Sequence, residues 1–153
     1  MLNGAHNIAI ARKTLELLGE PLFCADYAVS GGEDYELFRR VIRAGGRLAW
    51  CQEAAVVKTT AVERLTTSAL LYRYASTGAY MAAIDRRYDG ALGAWALALK
   101  GTLGASVRLA AATATVRRDP IARALLALSH YGGRIGGLLG VRTHRYALQR
   151  SSL

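Results

Sequence analysis

Two glycine pairs bracket the segment of this sequence that most restricts what the chain can become. Between Gly31-Gly32 and Gly45-Gly46 runs Glu33 to Ala44, with Leu37, Val41 and Ala44 at i, i+4 and i+7 and with Phe38 and Ile42 widening the stripe. That spacing predicts an amphipathic helix. Acids occupy its first turn and Arg39, Arg40 and Arg43 follow, the polarity a helix dipole favours. Two adjacent carboxylates, Glu33 and Asp34, therefore stand where a glycine loop meets a helix N-terminus. The glycines present no side chain to block a ligand and permit φ > 0. Free backbone N–H groups at such a junction hold an acid in place and favour its ionised form, the form a general base needs. The same placement serves a helix cap. Glu36 and Arg40, four residues apart, read as a surface pair worth roughly 0.2–0.5 kcal/mol.

Around this helix the pattern predicts a short strand at Ile8–Ile10, a helix over Arg12–Leu18 ended by Gly19, and a loop from Pro21 to Ser30 carrying Phe23 and Tyr27 inward. Arg47–Cys51 and Ala54–Val57 are β candidates separated by a turn at Gln52-Glu53. Ala61 to Gly78 is expected to be helical, anchored by Leu65, Leu70, Leu71 and Tyr74. Gly90 to Val116 is Ala-rich and helical in pattern. Asp119-Pro120 then offers an N-cap followed by Pro at the first helical position, for a helix running to about Tyr131 and broken by Gly132-Gly133 and Gly136-Gly137. Helices with short strands between them give an expected α/β class.

Composition divides the chain. Of its 153 residues 52% are hydrophobic and 20% charged, enough for one domain with a core and too apolar for a disordered segment. The formal charge is +9, but up to Asp89 eleven Lys/Arg face ten Asp/Glu, whereas beyond it nine Lys/Arg face Asp119 alone. The expected organisation is thus a nearly neutral part, residues 1–89, and a basic helical tail, residues 90–153. Cys24 and Cys51 lack metal or redox spacing and read as buried, reduced thiols of a cytosolic chain. The Met1 region lacks the basic start and unbroken apolar run of a signal peptide. Lys100 and Arg108 interrupt the apolar tail well short of the ~18–20 residues that span a bilayer. Two readings of the tail stay open: an interfacial segment on anionic lipid, or a helical cap with its arginines in water.

The order Gly-Gly-Glu-Asp (31–34), Leu-Phe-Arg-Arg (37–40), Ala-Gly-Gly (44–46), Arg-Leu-Ala-Trp (47–50), Glu-Ala-Ala-Val-Val (53–57) resembles the acceptor-side portion of family 2 glycosyltransferases of GT-A fold. Gly4 to Arg12 looks like the segment entering their acceptor-side strand. Glu63 to Thr66 with Arg73 and Gly78 is similar to the helix after their last strand, and Gly133 to Tyr146 to the membrane-proximal ends of polysaccharide-type members. The likeness is specific over Gly31–Val57 and loose after Gly90. It implies a partial GT-A fold, a short mixed sheet with helices, followed by an α-helical segment.

It also implies an inverting transfer in which an acceptor hydroxyl attacks the anomeric carbon of a nucleotide sugar. Asp34 would take the proton and Glu33 would orient acceptor or base. Gly31 and Gly32 would line the cleft, with Trp50 supporting it and Lys58 and Arg64 within reach of diphosphate. Read from the residues alone, Trp50 is as well a core aromatic, and Lys58 and Arg64 are solvated cations. Lys58 stands where many members carry His or an acid, and His6 and Cys24 where Asn and Asp are expected. The family's divalent metal (Mg2+ or Mn2+) is held by an Asp-x-Asp pair, and no Asp-x-Asp occurs in this sequence. The expectation is an enzyme inactive alone, either truncated and without its nucleotide-binding half or one piece of a split enzyme whose partner chain supplies that half. Its acceptor would be a saccharide or a lipid-linked one, in the cytoplasm or on the inner face of the membrane. A basic nucleic-acid-binding module is the competing reading of a pI near 10.1, though no nucleic-acid motif accompanies it. A noncatalytic helical adaptor is the other.

Overall fold

The computed structural model describes residues 7–115 and 117–143. The expectations attached to His6, to the Gly4–His6 stretch and to Arg145, Tyr146 and Arg150 lie outside the described residues. Among the described residues four α-helices follow in order: α1 (Arg12–Leu18), α2 (Glu33–Arg43), α3 (Thr67–Thr115) and α4 (Arg118–Leu138), with 3-10 turns at Ala25–Tyr27 and Val62–Leu65. None of the described residues lies in a β-strand. This corrects the expected α/β class and the mixed sheet of a partial GT-A fold. A strand persists only when neighbours take up its N–H and C=O groups. Ile8–Ile10, Arg47–Cys51 and Ala54–Val57 find no such ladder: the backbone bond within the last two stretches is a local one, Ala55 N–H to Glu53 O. Trp50 is 83% exposed and Val57 fully so, which overturns the reading of Trp50 as a core aromatic.

α3 is two helices joined at one residue. Gly90 breaks it with φ 76 and ψ 171, a left-handed φ that a side chain would strain. In one unbroken helix Leu71 and Gly101 would lie ~45 Å apart at 1.5 Å per residue. Yet Ser129 Oγ donates to Leu71 O (2.7 Å) while Tyr131, two residues on, covers Gly101. The chain therefore doubles back at Gly90. Contacts of Leu71 with Ser129, Ala75 with Gly133 and Ala79 with Gly137 advance together, so α4 runs parallel to 67–89 and antiparallel to 91–115. The change of composition at Asp89–Gly90 falls at this turn, between helices that pack on each other.

The core of the bundle is built from small residues. Ala82, Ala94 and Ala98 form one buried cluster with Leu138, and Trp95 and Ile135 pack against it. The anchors expected on the first helix, Leu65 and Tyr74, are exposed instead, and Leu70 and Leu71 are half-buried. Small side chains let helix backbones approach closely, and here glycine is required for space. A Cβ on Gly78 would stand 1.9 Å from His130 O, and one on Gly133 would stand 2.0 Å from Ala75 O. This explains a second correction: α4 does not break at Gly132-Gly133 or Gly136-Gly137 but runs through them to Leu138. A helical glycine costs about 1 kcal/mol against alanine, and close packing outweighs it. α4 also starts at Arg118, so Pro120 sits inside the first turn, where no N–H is missed. α3 begins later than expected, at Thr67, with Thr66 Oγ1 accepting from Ala69 N–H (3.3 Å).

Leu37, Phe38 and Val41 of α2 are buried, and α2 meets the first part of α3 through Tyr35 with Asp85 and Glu36 with Tyr88, whereas Ile42 and Ala44 are exposed. The loop before it leaves Phe23 exposed and Tyr27 half-buried. Both cysteines are free. Cys51 is exposed and Cys24 half-buried, so neither is the buried thiol expected. Among the described residues no helix is long and apolar enough to cross a membrane.

His130, on α4, has its pKa lowered, by burial first and then by the charge of Arg134. The folded chain therefore protonates His130 less readily than the unfolded chain does. Its contribution to stability is complete above the ordinary value of 6.5 and is lost as pH falls from there through the lower folded value. Urea midpoints measured near neutrality and in mild acid are expected to fall toward acid, and His130→Gln is expected to shrink that fall. An undiminished fall in the variant would assign the effect to the carboxylates.

Candidate functional site

Gly31 (φ 80) and Gly32 (φ 107) turn the chain into α2, with Gly31 N–H donating to Tyr27 O (2.8 Å). Gly32 is needed twice over. A Cβ there would be strained by its φ and would stand 2.5 Å from Cδ2 of Tyr80. The glycine pair thus seats the N-terminus of α2 directly on α3. Gly32 is the N-cap and offers no side-chain bond, so the first-turn N–H groups are left to the acids. Asp34 Oδ1 accepts from Tyr35 N–H (2.7 Å). Glu33 and Asp34 are both half-buried, and Oε2 of Glu33 is buried without a hydrogen-bond partner.

A cleft of about 410 Å3 opens beside this junction. Ser30, the residue before the glycines, and Tyr80, the residue under them, both line it, with Tyr27, Val141, Arg142 and Thr143 completing the walls. Oγ1 of Thr143 is buried and unpartnered. Two aromatic rings, hydroxyls and one guanidinium suit a polar ligand with flat apolar faces. Trp50, Lys58 and Arg64 do not gather here: all three are exposed between α2 and α3, Arg64 within the 3-10 turn Val62–Leu65. Gly31, Gly32, Glu33 and Asp34 remain one constellation, and the other three residues stand apart from it along the chain.

Beneath the junction lies a buried charge network that the sequence reading did not include. Asp85, on α3, is almost wholly buried and pairs with the equally buried Arg134 of α4 at 2.5 Å. Tyr35, the neighbour of Asp34, donates its hydroxyl to Asp85 Oδ1 (2.8 Å). Burial and then the Asp85 carboxylate push that phenol well above its ordinary value. Nε of Arg39 is 3.8 Å from Asp85, near enough to be an ion pair and too far for a hydrogen bond, so it remains unpartnered. The Arg39 guanidinium binds Asp89 instead.

A second group forms one turn along. Glu36 is buried, accepts from Arg40 Nε (3.0 Å) and accepts from the Tyr88 hydroxyl. Burial, then the bond to Glu36, pushes Tyr88 up to about 12. Glu36–Arg40 is therefore no surface pair, as its spacing suggested, because Arg40 also donates to Leu22 O and ties down the loop. The sequence did carry a signal for Asp85: it continues the buried spacing of Gly78, Met81 and Ala82 within an otherwise apolar face. A charge on such a face needs a partner of opposite sign, and Arg134 interrupts an apolar helix in the same way.

Among the described residues no group of three His, Cys, Asp or Glu side chains could hold a metal ion. The buried carboxylates are already taken by arginines and tyrosines. The described residues do not fit the divalent metal that the resemblance implies. Compared with protein-family models, curated proteins and solved structures, the chain has no match in any of the three.

Proposed function

We propose that the chain supplies the acceptor side of an inverting sugar transfer, with Asp34 as the general base and Glu33 beside it. The observation that carries the reading is the junction at α2: two carboxylates at an uncapped helix N-terminus, behind two glycines of positive φ, next to an aromatic-walled cleft. Asp34 is oriented there by the Tyr35 N–H and, although it does not itself line the cleft, would take the proton of a hydroxyl held at the cleft's Ser30 edge. Tyr27 and Tyr80 would take the faces of a saccharide, and Ser30 and Arg142 its polar edges. The acceptor is then a saccharide, free or lipid-linked, used in the cytoplasm. The reading asks for no sheet among the described residues. It does ask for a nucleotide-sugar-binding part with an Asp-x-Asp pair, which these 153 residues do not contain.

The test joins or co-expresses the chain with such a part and follows transfer from a labelled nucleotide sugar. Transfer is expected only in the combination. Asp34→Asn is expected to lower turnover by about 100- to 10,000-fold, the range of a general base, with the helical circular dichroism unchanged. Undiminished turnover in Asp34→Asn removes the assignment of the base. Robust transfer by the 153-residue chain alone removes the division into two parts.

A further inference from the structure

The helix formed by residues 91–115 is apolar on two opposite sides. Its inner side, Ala94, Ala98, Ala105 and Ala112, is buried in the bundle. Its outer side carries Leu92, Leu99, Leu103 and Val107, exposed by 57% to 89%, and successive spacings of seven, four and four put them on one line. At 1.5 Å per residue the line is about 22 Å long. Ala96, Ala110 and Ala114 fall on the same face, with Ser106, seven residues past Leu99, beside the line and Lys100 at its edge. No acid occurs between Gly90 and Arg118. Lys100 and Arg108 are exposed on this helix, Arg117 and Arg118 at its far end and Arg86 before its start.

We infer that this outer face lies on an anionic lipid surface, with the leucine line inserted at the level of the headgroups and the cations among the phosphates. Charge decides between occupants. A second copy laid on the same face would bring Lys100, which borders the leucine line, toward its counterpart across a desolvated contact, with no acid between Gly90 and Arg118 to balance the cations of the helix. Anionic headgroups balance every one of them, and acyl chains take up the leucines. The helix cannot cross the bilayer, so it lies along the surface. A line of exposed leucines is also unsuited to a nucleic-acid backbone, which offers phosphate and no apolar depth. The inference is independent of sugar transfer.

Co-sedimentation of the full chain with vesicles tests it. Vesicles of phosphatidylglycerol in phosphatidylcholine are expected to bind the chain at least about tenfold more tightly than phosphatidylcholine alone, and raised salt to weaken this about tenfold. Leu99→Glu/Leu103→Glu is expected to lose at least about tenfold in binding while keeping its helical spectrum. Lys100→Glu/Arg108→Glu is expected to lose the preference for anionic vesicles, and it decides the matter should the leucine variant fail to fold. No binding to anionic vesicles overturns the inference, as does binding that both variants retain. A dimer dispersed by Leu99→Glu/Leu103→Glu, in a chain that ignores vesicles, assigns the face to a second copy and overturns it too.

Discussion

Replacing Arg134 with methionine is expected to destabilise the fold by about 3–5 kcal/mol, the range found when one partner of a buried ion pair is removed. Asp85 and Arg134 are each 1% exposed, so the carboxylate left behind could not recover solvation. Tyr35 alone would still donate to it at hydrogen-bond distance. Arg39 could not easily close its gap, because Asp89 already holds its guanidinium. Asp85→Leu/Arg134→Met is expected to recover most of the loss, since an apolar pair of similar volume leaves no charge stranded. Urea unfolding followed by circular dichroism checks both. A loss below about 1 kcal/mol in the single variant would place the pair in contact with water. The same network joins Tyr35 of α2 to α3 and α4, so the helix bearing Asp34 should loosen before the bundle opens.

The second large effect is a contrast between adjacent glycines of one helix. Gly133→Ala is expected to destabilise by about 2 kcal/mol or more, because overpacking against a rigid neighbour commonly costs about 1–3 kcal/mol. The neighbour is backbone: the new Cβ would stand 2.0 Å from Ala75 O and 2.6 Å from Ala75 Cα, so the helices themselves must separate. Gly132→Ala meets nothing within 4 Å. It should stabilise by about 0.5–1 kcal/mol through helix propensity alone. Thermal unfolding of the two variants beside the parent measures the difference directly. Equal shifts of the same sign would mean that α4 does not approach 67–89 as closely as its glycines imply.

These two cases mark how far the sequence could be read. α1 was legible in full and α2 to within a residue, because a helix bracketed by glycine declares itself through spacing and local stops. The Gly31–Asp34 junction was legible for the same reason: each of its features is local. The strands were not. Arg47–Cys51 and Ala54–Val57 have the composition of strands, but a strand exists only through a partner, and none of the described residues provides one. The run of glycines after Tyr131 was misread as a set of breaks because propensity is a local quantity, whereas the approach of Ala75 and Ala79 to Gly133 and Gly137 is not.

Local spacing and composition fix where the amphipathic helix begins and ends, that two carboxylates open it, and that positive charge collects beyond Asp89. Those properties depend on neighbours in the chain. Packing across the bundle turns α3 back at Gly90, lets glycines hold α4 against it, and brings Asp85 and Arg134 together in the core. Each of these joins residues dozens of positions apart, and what fixes them is the fit of surfaces and the desolvation of charge, which no local pattern encodes.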